Sequence, residues 1–427
     1  MKSNWIGALL ACLVVITVAT DAAAQDWEMV QKDAQHTGSL PKGAEAPLRR
    51  SWIEKSSDPE SSFTTWPVAK GGVVYARSGP GVIAVEAATG KRLWWRENPE
   101  GSKQVSLALD DRAIYVPLPL EKLVALDLAT GDELWKVDTG VTSQIDASPV
   151  LADGRLFFGL PDADTFQAVD VTDGRTVWSI RTPFNADSVP AASGGRVVFT
   201  MQDSDSPRSV LLALDAASGR ELWRVENQVG NSSPSIFEGK VVFGGGDRFA
   251  YALDLKTGRR IWRSPTEDVF SPRNMPAIAF GDVFLADRIG NLYRLDGETG
   301  KRKWIFRDTE GTMDQSFPVI AGTTLFIGSG SGWIYAVDTE SGDLLWKEQV
   351  GGFVLSGAAD EKHFYFGVKF RNEGLYAYEH DPSGKAPNPV GGLVDRLTSG
   401  VALALALVIL AGLVLLIVVV SRRAGRR

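Results

Sequence analysis

Between residues 26 and 380 apolar and polar positions alternate, in short runs broken by glycine, proline and small polar residues. Tyr251-Ala252-Leu253-Asp254, Arg155-Leu156-Phe157-Phe158-Gly159 and Val241-Val242-Phe243-Gly244-Gly245 are representative. A period of two sends successive side chains to opposite faces of a strand, whereas an amphipathic helix needs an apolar stripe near a period of 3.6. No such stripe is sustained anywhere in this stretch. The alternation predicts strands throughout.

The strands are themselves periodic. A unit Ala-x-Asp-x-x-Thr-Gly-x-x-x-Trp recurs seven times: AVEAATGKRLW (84–94), ALDLATGDELW (125–135), AVDVTDGRTVW (168–178), ALDAASGRELW (213–223), ALDLKTGRRIW (252–262), RLDGETGKRKW (294–304) and AVDTESGDLLW (336–346). Glu86, Asp173 and Arg294 are the notable departures, and successive tryptophans lie 41, 43, 45, 39, 42 and 42 residues apart. Each unit reads as the last hairpin of a four-stranded sheet. The Asp accepts turn N–H groups, the Gly supplies a positive φ, and the Trp sits on the outer strand. Four strands of about five or six residues with their turns fill this repeat. Sheets of this kind arranged radially make a β-propeller.

Blade number follows from the two ends of the repeat. After Trp346 come two more strand-like runs, His363–Gly367 and Gly374–Tyr378, with no Thr-Gly-x-x-x-Trp behind them. Leu48–Ile53 is an orphan outer strand whose Trp52 precedes Trp94 by one period of 42 residues. The prediction is an all-β, eight-bladed β-propeller whose N-terminal strand closes the last blade and removes two open sheet edges. Trp52, Trp94, Trp135, Trp178, Trp223, Trp262, Trp304 and Trp346 are then structural, each packed between neighbouring blades.

Segments outside the repeat read differently. Residues 1–25 have Lys2, an apolar run from Trp5 to Val18 and the small triplet Ala22-Ala23-Ala24, the pattern of a secretory signal. The single cysteine, Cys12, lies inside that run, so the exported chain has none for disulfides, thiolate chemistry or metal binding. Lipidation at Cys12 is a lesser alternative, because the apolar segment continues past it. VALALALVILAGLVLLIVVV (401–420) is apolar throughout and is followed by SRRAGRR. As a helix it is about 30 Å long, the thickness of a bilayer core. The arginines place the tail in the cytoplasm and the N-terminal domain outside, periplasmic or extracellular. Processing of this C-terminal segment is left open. The predicted organisation is a signal at 1–25, a propeller at 26–380, a linker at 381–399, a single membrane helix at 400–420 and a basic tail at 421–427.

The formal charge of −7 becomes −11 over residues 26–420 once the tail arginines are set aside. Counterion release from nucleic acid needs clustered Lys and Arg, so a nucleic-acid partner is excluded by charge.

The seven Ala-x-Asp-x-x-Thr-Gly-x-x-x-Trp units resemble the tryptophan-docking motif of the PQQ-like propeller repeat family, over residues 26 to about 380. The stretch Trp27 to Gly38 is similar to the lead-in common in that family. WD40 propellers share the period, but here no tryptophan of the unit is followed by Asp. The resemblance implies one of two functions. One is a quinoprotein dehydrogenase holding PQQ and calcium on the axis. The other is a non-catalytic binding propeller like that of the outer-membrane barrel-assembly machinery. The absence of adjacent cysteines and of long inserts favours the second: a monomeric, membrane-anchored protein-binding scaffold without a cofactor or catalytic residue.

Positions that differ between blades are the candidates for function. Three residues before the Pro of the innermost strand stand Thr64, Asp146, Asp187, Asn231, Arg273 and Gln315, with Gln104 and Val354 in the blades lacking that Pro. They are predicted to ring one opening of the channel, either as a ligand site or as solvated loop residues. Trp66, Phe249 and Trp333 are aromatics outside the repeat, candidates for a partner surface or for packing between blades. His36, His363 and His380 occupy unrelated places in the repeat and show no metal-ligand spacing, and no metal site is predicted.

Overall fold

The computed structural model describes residues 26–55, 66–97, 105–118, 122–138, 148–160, 164–203, 208–226, 232–270, 274–307, 310–313 and 316–384. These fold into eight antiparallel sheets arranged as the blades of a propeller, and no helix occurs among them. Blade 1 comprises Val68–Lys70, Val73–Ser78, Gly81–Glu86 and Arg92–Glu97, from the axis outward. Blades 2 to 7 repeat this order. Blade 8 takes Phe353–Ala359, His363–Lys369 and Gly374–His380 from the end of the repeat and Leu48–Glu54 from its start. Leu48 pairs with His380 and Glu54 with Leu375, so the ring is closed by the strand the sequence predicts.

The repeat unit has a geometric reason. In every blade the outer strand bulges at the residue before its tryptophan: Ala168 faces Trp178, but Val169 faces Thr176, and Val177 is left out of the ladder. Leu93, Leu134, Ile261 and Leu345 are left out in the same way, and all are exposed. A bulge re-aims the following side chain, here toward the next blade. In seven of the eight blades the residue opposite the tryptophan is an alanine, small enough to leave room for the indole; in blade 6 it is Arg294, opposite Trp304.

The receiving half of the lock is the turn of the next blade. Trp178 Nε1 donates to Ala216 O at 3.0 Å, and a Cβ on Gly219 would lie 2.7 Å from the indole. Gly219 has φ of 72°, so glycine is required both by conformation and by contact. Trp52, Trp135, Trp223, Trp262 and Trp304 donate in the same way to Ala87, Val171, Leu255, Gly297 and Thr339. The Asp of each turn holds the loop: Asp215 Oδ1 accepts from Ser218 N at 2.9 Å, and Asp296 Oδ1 from Thr299 N at 2.9 Å. Hydrogen bonds from the turn hydroxyls and amides hold both carboxyls below the usual range.

Residues 26–47 do more than lead in. They run past the inner strands, whose free edges face the axis. Trp27 exchanges two backbone hydrogen bonds with Ala69 of blade 1, and Leu109 of blade 2 donates to Glu28 O at 2.9 Å. Ala192, Ile236, Ile278 and Ile320 of blades 4 to 7 donate to Ala34, Gln35, Thr37 and Gly38 at 2.7–2.9 Å. Ser39–Leu40 then pairs in parallel with Val319–Ala321, the inner strand of blade 7. This segment satisfies buried edge groups that would otherwise lack partners.

The predicted signal (1–25), membrane helix (400–420) and basic tail, and most of the linker, lie outside the described residues. Among the described residues no helix is long and apolar enough to cross a membrane.

Candidate functional site at the open end of the ring

The inner strands all start from the same end of the ring, where the chain arrives from the preceding outer strand. Six of the predicted ring positions, Thr64, Gln104, Asp146, Asn231, Arg273 and Gln315, lie outside the described residues. Asp187 is half-buried in the connection from blade 3 to blade 4. Its neighbour Ser188 fixes that connection, the hydroxyl donating to Thr200 O at 2.9 Å and accepting from Thr200 N at 2.8 Å. Val354 is fully buried and packs on Gly328.

Two residues further along, all eight equivalent positions are described: Trp66, Ser106, Ser148, Val189, Ser233, Met275, Phe317 and Ser356. The serines stitch inner strands together. Ser106 N donates to Ser148 Oγ at 2.9 Å, Val189 N to Ser233 Oγ at 2.9 Å, and Phe317 N to Ser356 Oγ. The large residues fill the middle. Trp66 of blade 1 lies 5.5 Å from Phe317 of blade 7, and Met275, Phe317, Trp66, Met29 and Val30 share one buried cluster. Trp66, predicted as a candidate for partner binding, is only 5% exposed and belongs to this plug.

The other two non-repeat aromatics are half-buried, and each carries a cation. Arg263 lies 4.7 Å over the Phe249 ring, and Lys347 Nζ 4.4 Å over Trp333. They begin the third strands of blades 5 and 7, at the same end of the ring as Asp187. Phe353 and Phe370 of blade 8 make an edge contact there at 6.4 Å, with Phe370 71% exposed. Neither was singled out by the repeat, because blade 8 lacks the unit that aligns the others.

His36 is fully buried in the lead-in, its Nδ1 bonded to Pro234 O at 2.7 Å, and burial lowers its pKa to about 4. His363 sits beside Asp360, whose carboxylate also accepts from Tyr365. Among the described residues no three His, Cys, Asp or Glu side chains gather to hold a metal ion.

Fold and motif together define a PQQ-like eight-bladed propeller. The family model described as "Outer membrane protein assembly factor BamB" matches residues 47–136, 80–206, 119–268 and 207–361, and the chain belongs to that family. It is 30% identical over 177 residues to Outer membrane protein assembly factor BamB of Nitrosomonas eutropha, which covers 40% of this chain and 41% of the relative. It is 27% identical over 196 residues to the dehydrogenase subunit of a quinone alcohol dehydrogenase of Gluconacetobacter polyoxogenes, covering 39% of this chain and 26% of that protein. The chain therefore spans well under half of either relative. Among solved structures, BamB from Moraxella catarrhalis superposes with a TM-score of 0.62 at 16% identity, over 78% of this chain and 99% of that one. A quinohemoprotein alcohol dehydrogenase from Pseudomonas putida HK5 gives 0.68 at 13% identity, over 86% and 82%. At these identities the structural likeness speaks to the fold alone.

Proposed function

We propose that this chain is an exported propeller, anchored by residues 401–420 and facing away from the cytoplasm, that binds protein at the open end of its ring without catalysing a reaction. The observation that carries this reading is the axial plug: Trp66, Met275 and Phe317 meet Met29 and Val30 of the lead-in where a quinoprotein would need space. Half-buried Phe249 and Trp333 and the exposed Phe370 offer aromatic anchors at that end, of the kind that dominate protein interfaces. Relatives named for outer-membrane protein assembly support the same reading. Relatives named as quinone alcohol dehydrogenases share the repeat, and the plug is the observation that favours the binding reading over theirs.

The test is purification of the intact chain from its own membranes with Trp333→Ala or Asp187→Lys. A copurifying protein that is lost from these variants while the melting temperature stays unchanged supports the proposal. Retention of every copurifying protein by both variants removes the open end as the binding surface.

A further inference from the structure

The described part of the chain is acidic, summing to −12 over residues 26–384, yet residues 240–307 hold thirteen Lys and Arg against eight Asp and Glu. Blades 5 and 6 are thus a basic sector in an acidic ring. The excess is concentrated on the rim, where the outer strand of blade 5 meets the turn of blade 6. A cleft of about 350 Å³ opens there, lined among others by Arg263, Ser264, Thr299, Lys301 and Arg302.

Two other seams are fastened differently. Between blades 8 and 1 Arg92 Nε of the turn donates to Glu54, two residues past Trp52, at 2.8 Å. Between blades 1 and 2 Arg96, two past Trp94, donates to Asp132 of the turn at 2.5 Å. Between blades 5 and 6 the residue two past Trp262 is Ser264, which is buried, and the turn carries Lys301 and Arg302. The acids nearby are committed to other partners. Glu298 bonds Lys240 at 2.6 Å, Asp282 bonds Lys303 at 2.8 Å, and Glu267 bonds Arg307. Among the described residues no carboxylate lies within salt-bridge distance of Arg259, Arg263, Lys301 or Arg302, all of them exposed, although Asp254 and Glu267 are drawn to Arg259 and Arg302 at longer range. Where two other seams are clamped by a salt bridge, this one presents like charges around a hollow.

We propose that the cleft between blades 5 and 6 binds an extended acidic polypeptide segment of a partner, its carboxylates meeting Arg263, Lys301 and Arg302. Cations contributed by two blades, Arg263 from one and Lys301 and Arg302 from the next, match a run of carboxylates better than one small ion. A flat anionic membrane matches worse, since the rest of the ring would bring its excess of acids against it. This site extends the protein-binding reading to a second surface, and its failure would leave the open end untouched.

The experiment titrates fluorescent hexaglutamate with the full-length chain in a neutral detergent at low salt and follows anisotropy. Saturable binding is expected, weakened about tenfold or more by Lys301→Glu with Arg302→Glu and lost as salt rises. Lys91→Glu, the same turn position in blade 1, is expected to leave it unchanged, and melting temperatures are expected to match for all variants. No saturable binding, or equal loss from Lys91→Glu, overturns the proposal. So does inorganic phosphate that displaces the peptide at equal concentration, which makes the cleft a small-anion site. Stronger binding to phosphatidylglycerol vesicles than to the peptide, abolished by the same double variant, makes it a membrane contact instead.

Discussion

The seam between blades 3 and 4 and the seam between blades 7 and 8 begin from the same tryptophan but are held differently. Trp178 donates to Ala216 O and is covered by Gly219 of the next turn. Trp346 is equally well buried, at 4% exposure, yet its Nε1 has no partner and it meets only the edge of Tyr378, at 5.8 Å. Chain connectivity removes the covering turn here, whereas Trp94 keeps the cover of Gly131 and still has no Nε1 partner. An Asp-x-x-Thr-Gly turn exists only where third and outer strands are consecutive, and in blade 8 the outer strand comes from residues 48–54. What the seam lacks at the rim it gains toward the axis. Phe326 and Phe364 pack at 3.5 Å and Ser316 Oγ donates to Val354 O at 2.9 Å, while at the rim Arg50 only approaches Glu348, at 4.0 Å. A lock repeated around a ring therefore needs a different fastening where the chain closes on itself.

The largest effect is expected from removing that fastening. Deleting residues 26–55 takes away the outer strand of blade 8 and the hydrogen bonds along six inner strands. The shortened chain is expected to lose its cooperative melting transition. A transition at the wild-type temperature would show that closure is dispensable.

His36 comes next, because the lead-in buries it as the neutral imidazole. Its folded pKa of about 4 lies below the unfolded value of 6.5, so the unfolded chain binds the extra proton between these values. Stability is full above pH 6.5 and falls as the pH drops toward 4, by on the order of 3 kcal/mol at the lower end. His36 has φ of 59°, a conformation asparagine tolerates, so His36→Asn is expected to fold and to flatten this part of the profile. Melting curves from pH 7 to 4 on both proteins check it, and an identical slope would refute the assignment.

The smallest effect separates the two seams directly. Trp178→Phe leaves Ala216 O without its donor and is expected to cost about 1 kcal/mol more than Trp346→Phe, which breaks no hydrogen bond. Denaturant midpoints of the two variants give the comparison. Equal losses would mean that the Trp-to-turn bond contributes nothing beyond packing.

The blades, their number and their closure were legible because each rests on a local rule that recurs: period-two alternation, an Asp-Gly turn, and a tryptophan at a fixed offset. The alanine opposite seven of the eight tryptophans was visible as a letter, but its reason, the bulge at residues such as Val177, needed the strand register. The lead-in's path was not legible, since it depends on backbone bonds to strands up to 282 residues away, from Gly38 to Ile320, that no side-chain pattern encodes. Trp66 stood out, as an aromatic for a partner surface or for packing between blades, because it breaks the repeat. It breaks the repeat because it fills the axis beside Phe317. The basic sector could have been counted from the sequence, but only the structure shows that Arg263, Lys301 and Arg302 line one hollow.

The most direct test of a binding propeller against a quinoprotein is equilibrium dialysis of the intact chain with PQQ and calcium, read by quinone absorbance. No retained quinone is expected, with or without calcium, because the axis is filled by Trp66, Met275 and Phe317. Stoichiometric quinone retention that disappears with Asp146→Ala or Asp187→Ala would contradict this and make the open end of the ring a cofactor site.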